Sequence, residues 1–213
     1  MTSSPSATER TLREYLDAVA AGSPAPGGGS VAAIAGALAA TLGEMVANLT
    51  LGRAQYASVE DVLRPARDRL TALRTALTEA AVADERAYAA YRAAVALPRS
   101  SVVEQSARKV AMQQALFAAT EVPLGVAEAA AEIAALLETV ARAGNPHIRS
   151  DAALGALLAD TALLGALLNV RANAAQMRDQ DRASTYLDDA DRLEEGGRES
   201  AARAFQIATE EVP

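Results

Sequence analysis

A chain of 213 residues, 51% apolar but only 3% aromatic, is long enough to bury a core without staples, and that core must be built from alanine and leucine. The absence of cysteine excludes disulfides and thiolate metal sites, and a single histidine, His147, excludes a multi-histidine zinc site within one chain. A net charge of −7 and a pI near 4.9 argue against nucleic acid as a partner, because affinity for phosphate backbones comes largely from lysine and arginine.

Residues 1–8 are polar and rich in serine and proline, lack the apolar core of a secretory signal, and are expected to be disordered. A first helix is predicted from Thr8 to Gly22, with Leu12, Tyr15, Leu16 and Val19 on one face. Next comes the most informative stretch, Ser23 to Gly52. Pro24 and Pro26 stiffen its start, and Gly27, Gly28 and Gly29 let a ligand approach the main chain closely. Ser30 stands where a helix N-cap belongs, so the loop ends on free N–H groups that suit an anionic or carbonyl-bearing ligand; a plain turn would read the same way. The spacing fits neither the phosphate-loop nor the dinucleotide fingerprint.

In the helix that follows, Val31, Ile34, Leu38, Leu42, Met45 and Leu49 form one apolar stripe, and alanine and glycine make nearly every other face small. Such a helix belongs at the centre of a bundle. The run from Val31 to Leu51 has the length of a membrane span, but Glu44, Asn48 and its alanine-rich character point to a buried helix of a soluble protein, so no membrane partner is expected.

A third helix is predicted over about Val59 to Ala96, with Leu63, Leu70, Leu73, Leu77 and Val82 at helical spacing and Pro65 in its early turns. Asp84, Tyr88 and Tyr91 follow at i, i+4 and i+7 as a polar and aromatic stripe. A fourth helix opens near Ser101, is interrupted or bent at Pro123, and resumes from Leu124 to Ala143 before Gly144-Asn145-Pro146. The fifth begins after Ser150-Asp151 and carries Asn169 and Asn173 on one face. The sixth, about Ala183 to Thr209, is weakened by Gly196-Gly197. No strand alternation appears. These elements predict an all-α, up-and-down bundle of about six helices around a central Ala/Gly-rich helix, one domain over 1–213.

Polar groups set in apolar helices are the candidates for chemistry, because burial without partners costs about 1–3 kcal/mol each. Asp84, Asp151, Asn48, Asn169 and Asn173 fit that description. Asp151 also reads as a helix cap, and each asparagine as a bridge between helices.

The stretch SPAPGGGSVAAIAGALAATLGEMVANLTLGR resembles the opening signature of the formiminotetrahydrofolate cyclodeaminase and methenyltetrahydrofolate cyclohydrolase family. The resemblance continues through DERAYAAYRAAVALPR, ARKVAMQQAL, EVPL, GNPHIRSD and LLNVRANAAQMRD, in the family's order and over most of the chain. It implies an all-helical homodimer, no metal, no permanently bound cofactor, and a tetrahydrofolate derivative as substrate; the absence of cysteine is compatible with the cytoplasm, which is the expected location. The cyclohydrolase adds water to the methenyl carbon bridging N5 and N10 and opens it to 10-formyltetrahydrofolate. The cyclodeaminase instead closes that bridge from a 5-formimino group with loss of ammonia. A free single domain leans toward the cyclohydrolase; the rival of another class is a non-catalytic helical dimer with the same fold.

Under this resemblance Asp84 and Asp151 are the candidate acid–base carboxylates, Asp151 alternatively an orienting group. Asn48, Asn169 and Asn173 are candidates for the pterin edge, and the loop of Pro26, Gly27, Gly28, Gly29 and Ser30 for the pterin or a carbonyl. Arg53 and Arg99 are candidates for the glutamate tail, with Arg149 a weaker one, and Tyr56 and Asn145 complete the implied substrate-binding set. Ala54 interrupts a run of basic residues that family members often carry after the glycine matching Gly52, which implies a weaker hold on the tail. His147 reads as a solvent-exposed loop residue rather than a proton shuttle.

Overall fold

A computed structural model describes residues 6–210, so the expectation for residues 1–5 lies outside the described residues. Ser6–Arg10 form a turn in which the Ser6 amide donates to Glu9. Among the described residues there are six α-helices and no strand: α1 Leu12–Ala20, α2 Gly28–Asn48, α3 Glu60–Val95, α4 Val102–Ala143, α5 Arg149–Ala174 and α6 Gln180–Thr209. Short 3₁₀ turns, Ala54–Val59 and Pro146–Ile148, lead into α3 and α5. The all-α bundle expected from the periodicity is the fold observed.

Local chemistry sets several helix ends differently from the sequence reading. Helix α1 starts at Leu12, four residues later than predicted, because Thr11 and Glu14 form a reciprocal capping box. Of its apolar face only Tyr15 is buried, while Leu12 and Leu16 stay exposed. Ser30 is not the N-cap of α2: Gly27 takes that position in extended backbone, and Ser30 sits fully buried inside the first turn. Asp151 does not cap α5 either, since the helix begins at Arg149 and leaves Asp151 in its first turn. Helix α6 begins at Gln180, three residues ahead of the expected start, where Asp179 caps it by accepting from the Arg182 amide.

Neither Pro123 nor the weakening Gly196-Gly197 pair interrupts its helix. Helix α4 passes unbroken through Pro123. Proline has no N–H to give the carbonyl of Ala119, and Asn173 Nδ2 donates to that carbonyl instead, at 3.0 Å. Helix α6 passes through Gly196-Gly197 because Gly197 is where α6 presses onto its neighbours. A β-carbon there would lie 2.5 Å from Leu163 Cδ2 and 3.1 Å from Ala131 Cβ.

Helix α2 is central, packing on α3, α5 and α4. Its contact with α3 is organised by glycines at seven-residue spacing. A β-carbon at Gly43 would lie 2.8 Å from Leu70 Cδ1, at Gly36 2.9 Å from Leu77 Cδ1, and at Gly29 2.1 Å from Asp84 Oδ1. The two helices run antiparallel, and α3 inserts Leu70, Leu77 and Asp84 in turn against bare backbone. Asp84 thus fills a place in the row where the pattern would otherwise put leucine.

The apolar stripe of α2 faces outward, contrary to the simplest reading of an amphipathic helix. Val31, Leu38, Met45 and Leu49 are 36–52% exposed, whereas Ala33, Ala39, Ala40 and Ala47 are fully buried. Close approach of α3 and α5 selects small residues at the contact, and the large side chains are left for another surface. Leu154, Leu157 and Leu168 of α5 are exposed as well.

Candidate functional site: a cleft around Asp84

At the end of the bundle where α2 begins, a cleft of about 270 Å³ opens between the glycine loop, α3, α4 and α5. Gly27, Gly28 and Gly29 form one wall with Pro24 and Ala25, Asp84 with Tyr88 and Tyr91 a second, and Asn169, Asn173 and Gln176 a third. Among the described residues, Asp84 is the sole charged one of the lining.

Each wall has a local cause. Gly29 has no side chain, so the Asp84 carboxylate can lie against the first turn of α2, where the Ser30 amide donates to it. Ser30 is held from below by a buried hydrogen bond of 3.0 Å with the Tyr15 hydroxyl, which ties α1 to the floor of the cleft. Just outside, Arg10 makes a two-armed ion pair with Glu85 at 3.1 and 3.3 Å. Asn169 donates its Nδ2 to Gly165 O and Asn173 to Ala119 O, so both amides are fixed by backbone carbonyls.

Burial raises the pKa of Asp84 above the ordinary aspartate value; the Ser30 amide opposes the shift, and the neighbouring charge of Glu85 adds a little to it. A carboxylate poised in this way holds and returns a proton more readily than an exposed one, in a cleft with a rigid amide-bearing wall and two phenol rings.

The expected site residues divide between the two ends of the bundle. Gly27, Gly28, Gly29, Asp84, Asn169 and Asn173 meet at the cleft, with Ser30 beneath it and the buried Pro26 behind the loop. Asn48, Arg53, Tyr56, Asn145 and Asp151 do not join them. They gather where α2 ends and α5 begins, about 30 Å away along α2 at 1.5 Å per residue. There the Asn145 amide donates to Thr50 Oγ1, and the Tyr56 hydroxyl and the His147 amide both donate to Asn145 Oδ1. Gly52, at φ 75°, makes the left-handed turn that leads from α2 into this cluster. Arg99 lies exposed in the α3–α4 loop, outside the lining.

Tyr88, Tyr91 and Gln176 belong to the lining although they were not singled out as site residues. The i, i+4, i+7 spacing from Asp84 carried the signal for the two tyrosines. No local pattern marks Gln176, which is brought in by the turn after α5. Among the described residues, no group of three or more His, Cys, Asp or Glu side chains gathers as a metal site would require.

Fold and cleft together define a helical-bundle protein with a half-buried carboxylate set against a glycine-lined helix start. The chain belongs to the formiminotransferase-cyclodeaminase family, whose model matches residues 11–192. It is 38% identical over 181 residues to a methenyltetrahydrofolate cyclohydrolase of Methylorubrum extorquens, covering 85% of this chain and 87% of that protein. It is 37% identical over 171 residues to the formimidoyltransferase-cyclodeaminase of Rattus norvegicus, covering 80% of this chain but only 32% of that longer protein. The fold matches the crystal structure of a formiminotetrahydrofolate cyclodeaminase from Thermotoga maritima with a TM-score of 0.84 and 28% identity, over 94% of this chain and 96% of that one.

Proposed function

We propose that the protein is a methenyltetrahydrofolate cyclohydrolase, converting 5,10-methenyltetrahydrofolate and water to 10-formyltetrahydrofolate. The observation that carries this is the half-buried Asp84 carboxylate held against the start of α2 in a cleft walled by glycine backbone, phenol rings and fixed amides. The 38% identity with the Methylorubrum cyclohydrolase, over 85% of this chain, supports it.

The substrate carries a positive charge on its N5–C–N10 unit, and the ionised Asp84 stabilises that charge on binding. Asp84 then accepts a proton from water as the oxygen–carbon bond forms, giving a neutral tetrahedral carbon bearing a hydroxyl. The proton passes to N5 as the carbon–N5 bond breaks, and the hydroxyl proton is released as the formyl group forms on N10. One carboxylate of raised pKa serves both transfers. Water is the only co-reactant, so the reaction balances without a bound cofactor. Asn169 and Asn173 meet the polar pterin edge, and Tyr88 and Tyr91 pack on its ring.

The second reading, cyclodeamination of 5-formiminotetrahydrofolate, is favoured by the likeness to the Thermotoga structure and uses the same carbon between the same nitrogens. The protein works in the cytoplasm, in keeping with its lack of cysteine. It works as a homodimer through the bare apolar faces of α2 and α5. Helices Gly28–Asn48 and Pro146–Ala174 are apolar enough to cross a membrane by length and composition, but 56% and 50% of their most apolar windows are buried within the bundle.

A parallel assay of both substrates separates these readings. Catalysed loss of methenyl absorbance above the spontaneous rate is the expected result, and catalysed gain with ammonia release would replace it by the cyclodeaminase. Activity on neither substrate would leave a non-catalytic helical dimer.

A further inference from the structure

Helix α4 carries a proline at its middle, Pro123, which is buried and lies outside the lining of the cleft. Proline changes the turn before it in two ways. It gives no N–H to the carbonyl of Ala119, four residues earlier, and its ring crowds that carbonyl away from the helix axis. Ala119 itself lines the cleft where α4 packs on α5, so a backbone acceptor without a helical donor is delivered to that wall.

Asn173 of α5 answers that acceptor. A polar side chain on a helix has a nearer partner in the carbonyl four residues before it, and the amides on either side of Asn173 take that one. Asn169 Nδ2 donates to Gly165 O at 2.9 Å, and Gln176 Nε2 to Ala172 O at 3.1 Å. The equivalent acceptor for Asn173 is Asn169 O, and Asn173 turns away from it. Its Nδ2 reaches across to Ala119 O at 3.0 Å, because that carbonyl lacks its usual backbone donor. Only the nitrogen of an amide can face a carbonyl, so the oxygen is left to face elsewhere. Among the described residues nothing donates to Asn173 Oδ1, and that oxygen is not sealed from solvent; it stands free in the wall of the cleft.

From these contacts we infer that Pro123 is a positioning residue of the site: by withholding an N–H it draws the Asn173 amide onto α4 and leaves Oδ1 to accept from a ring or amino N–H of the reduced pterin. This rests on the folate reading above and adds a residue that touches no substrate yet decides which atom of Asn173 the substrate meets. A residue at 123 with an N–H takes Ala119 O for the helix, and Asn173 then falls back along α5 as Asn169 does. The consequence lies in binding rather than in the chemical step, since Asp84 is held by the Ser30 amide and shares no partner with Asn173.

Two experiments test it. The first measures steady-state kinetics on the methenyl substrate for Pro123→Ala, Asn173→Ala and the double variant. Pro123→Ala should raise KM by about three- to tenfold, as the loss of one neutral hydrogen bond does, and leave kcat within about twofold. Pro123→Val, which refills the volume of the ring but also carries an N–H, should do the same. Asn173→Ala should raise KM by a similar factor, and the double variant should raise it no further than either change alone. A proline with a merely structural role would lower kcat as well, and its effect would multiply with that of Asn173→Ala. Wild-type KM in both Pro123 variants, or effects that multiply, overturns the proposal.

The second needs no substrate. In NMR spectra of isotopically labelled protein, the side-chain amide of Asn173, assigned by its loss in Asn173→Ala, should shift in Pro123→Ala while that of Asn169 moves far less. An unmoved Asn173 amide overturns the positioning role whatever the substrate proves to be. If wild-type protein acts on neither folate while that amide moves, the functional reading fails and the hold of Pro123 on Asn173 stands.

Discussion

Gly29→Ala is the sharpest single perturbation of the site. The new β-carbon would lie 2.1 Å from Asp84 Oδ1, 2.6 Å from Cγ and 2.9 Å from Oδ2, against an ordinary contact of 3.4 Å or more. The carboxylate must therefore retreat by more than 1 Å, giving up the Ser30 amide. Displacements of about 1 Å cost on the order of 100-fold in rate, so kcat should fall by about that factor. The fold should hold, because alanine is the better helix former by up to about 1 kcal/mol and the displaced carboxylate moves toward water. Gly36→Ala, seven residues along the same row, is the control. Its β-carbon meets the flexible end of Leu77 at 2.9 Å, so it should lower stability by about 1–3 kcal/mol through overpacking and leave kcat within about twofold. Steady-state kinetics on the methenyl substrate, with denaturant midpoints for both variants, make the comparison. Wild-type kcat in Gly29→Ala would refute the placing of the Asp84 carboxylate at the reacting carbon.

Asp84→Asn should lower turnover by about two or more orders of magnitude while the fold is retained, as read by kinetics and circular dichroism. The same variant should be more stable than wild type at pH 7, because the folded-state pKa of Asp84 is raised and its ionised form costs stability above that pKa. The gain should vanish as pH falls below the ordinary aspartate range, and an undiminished gain at pH 3 would contradict it. For the same reason the acid limb of kcat/KM should fall at a pH above the unperturbed aspartate value. Asn173→Ala leaves the Ala119 carbonyl without a donor and should cost about 1–3 kcal/mol. In a Pro123→Ala background, where the helix amide is restored, the cost should be clearly smaller, and equal costs in both backgrounds would dismiss that role. Tyr15→Phe removes the bond to Ser30 and should cost about 1 kcal/mol, measurable as a shift in the urea midpoint.

Helical periodicity, the Ala/Gly-rich centre and the motif order determined the fold class and the family directly from the sequence, because side-chain spacing along a helix is local information. The glycine loop, Asp84, Asn169 and Asn173 were legible for the same reason: each is a polar or bare position in an otherwise apolar pattern. The seven-residue row of Gly29, Gly36 and Gly43 was also in the sequence, yet its meaning appears only when α3 lies against it and Asp84 takes the third place. Tertiary structure decided which face of α2 is buried, since the distance between helix axes, rather than hydrophobicity, selects alanine over leucine at the contact. It carried α4 through Pro123, because the donor that rescues the Ala119 carbonyl lies on α5, 54 residues away in the chain. And it separated Asn48, Arg53, Tyr56, Asn145 and Asp151 from the cleft, since a motif list has no length whereas a 21-residue helix does.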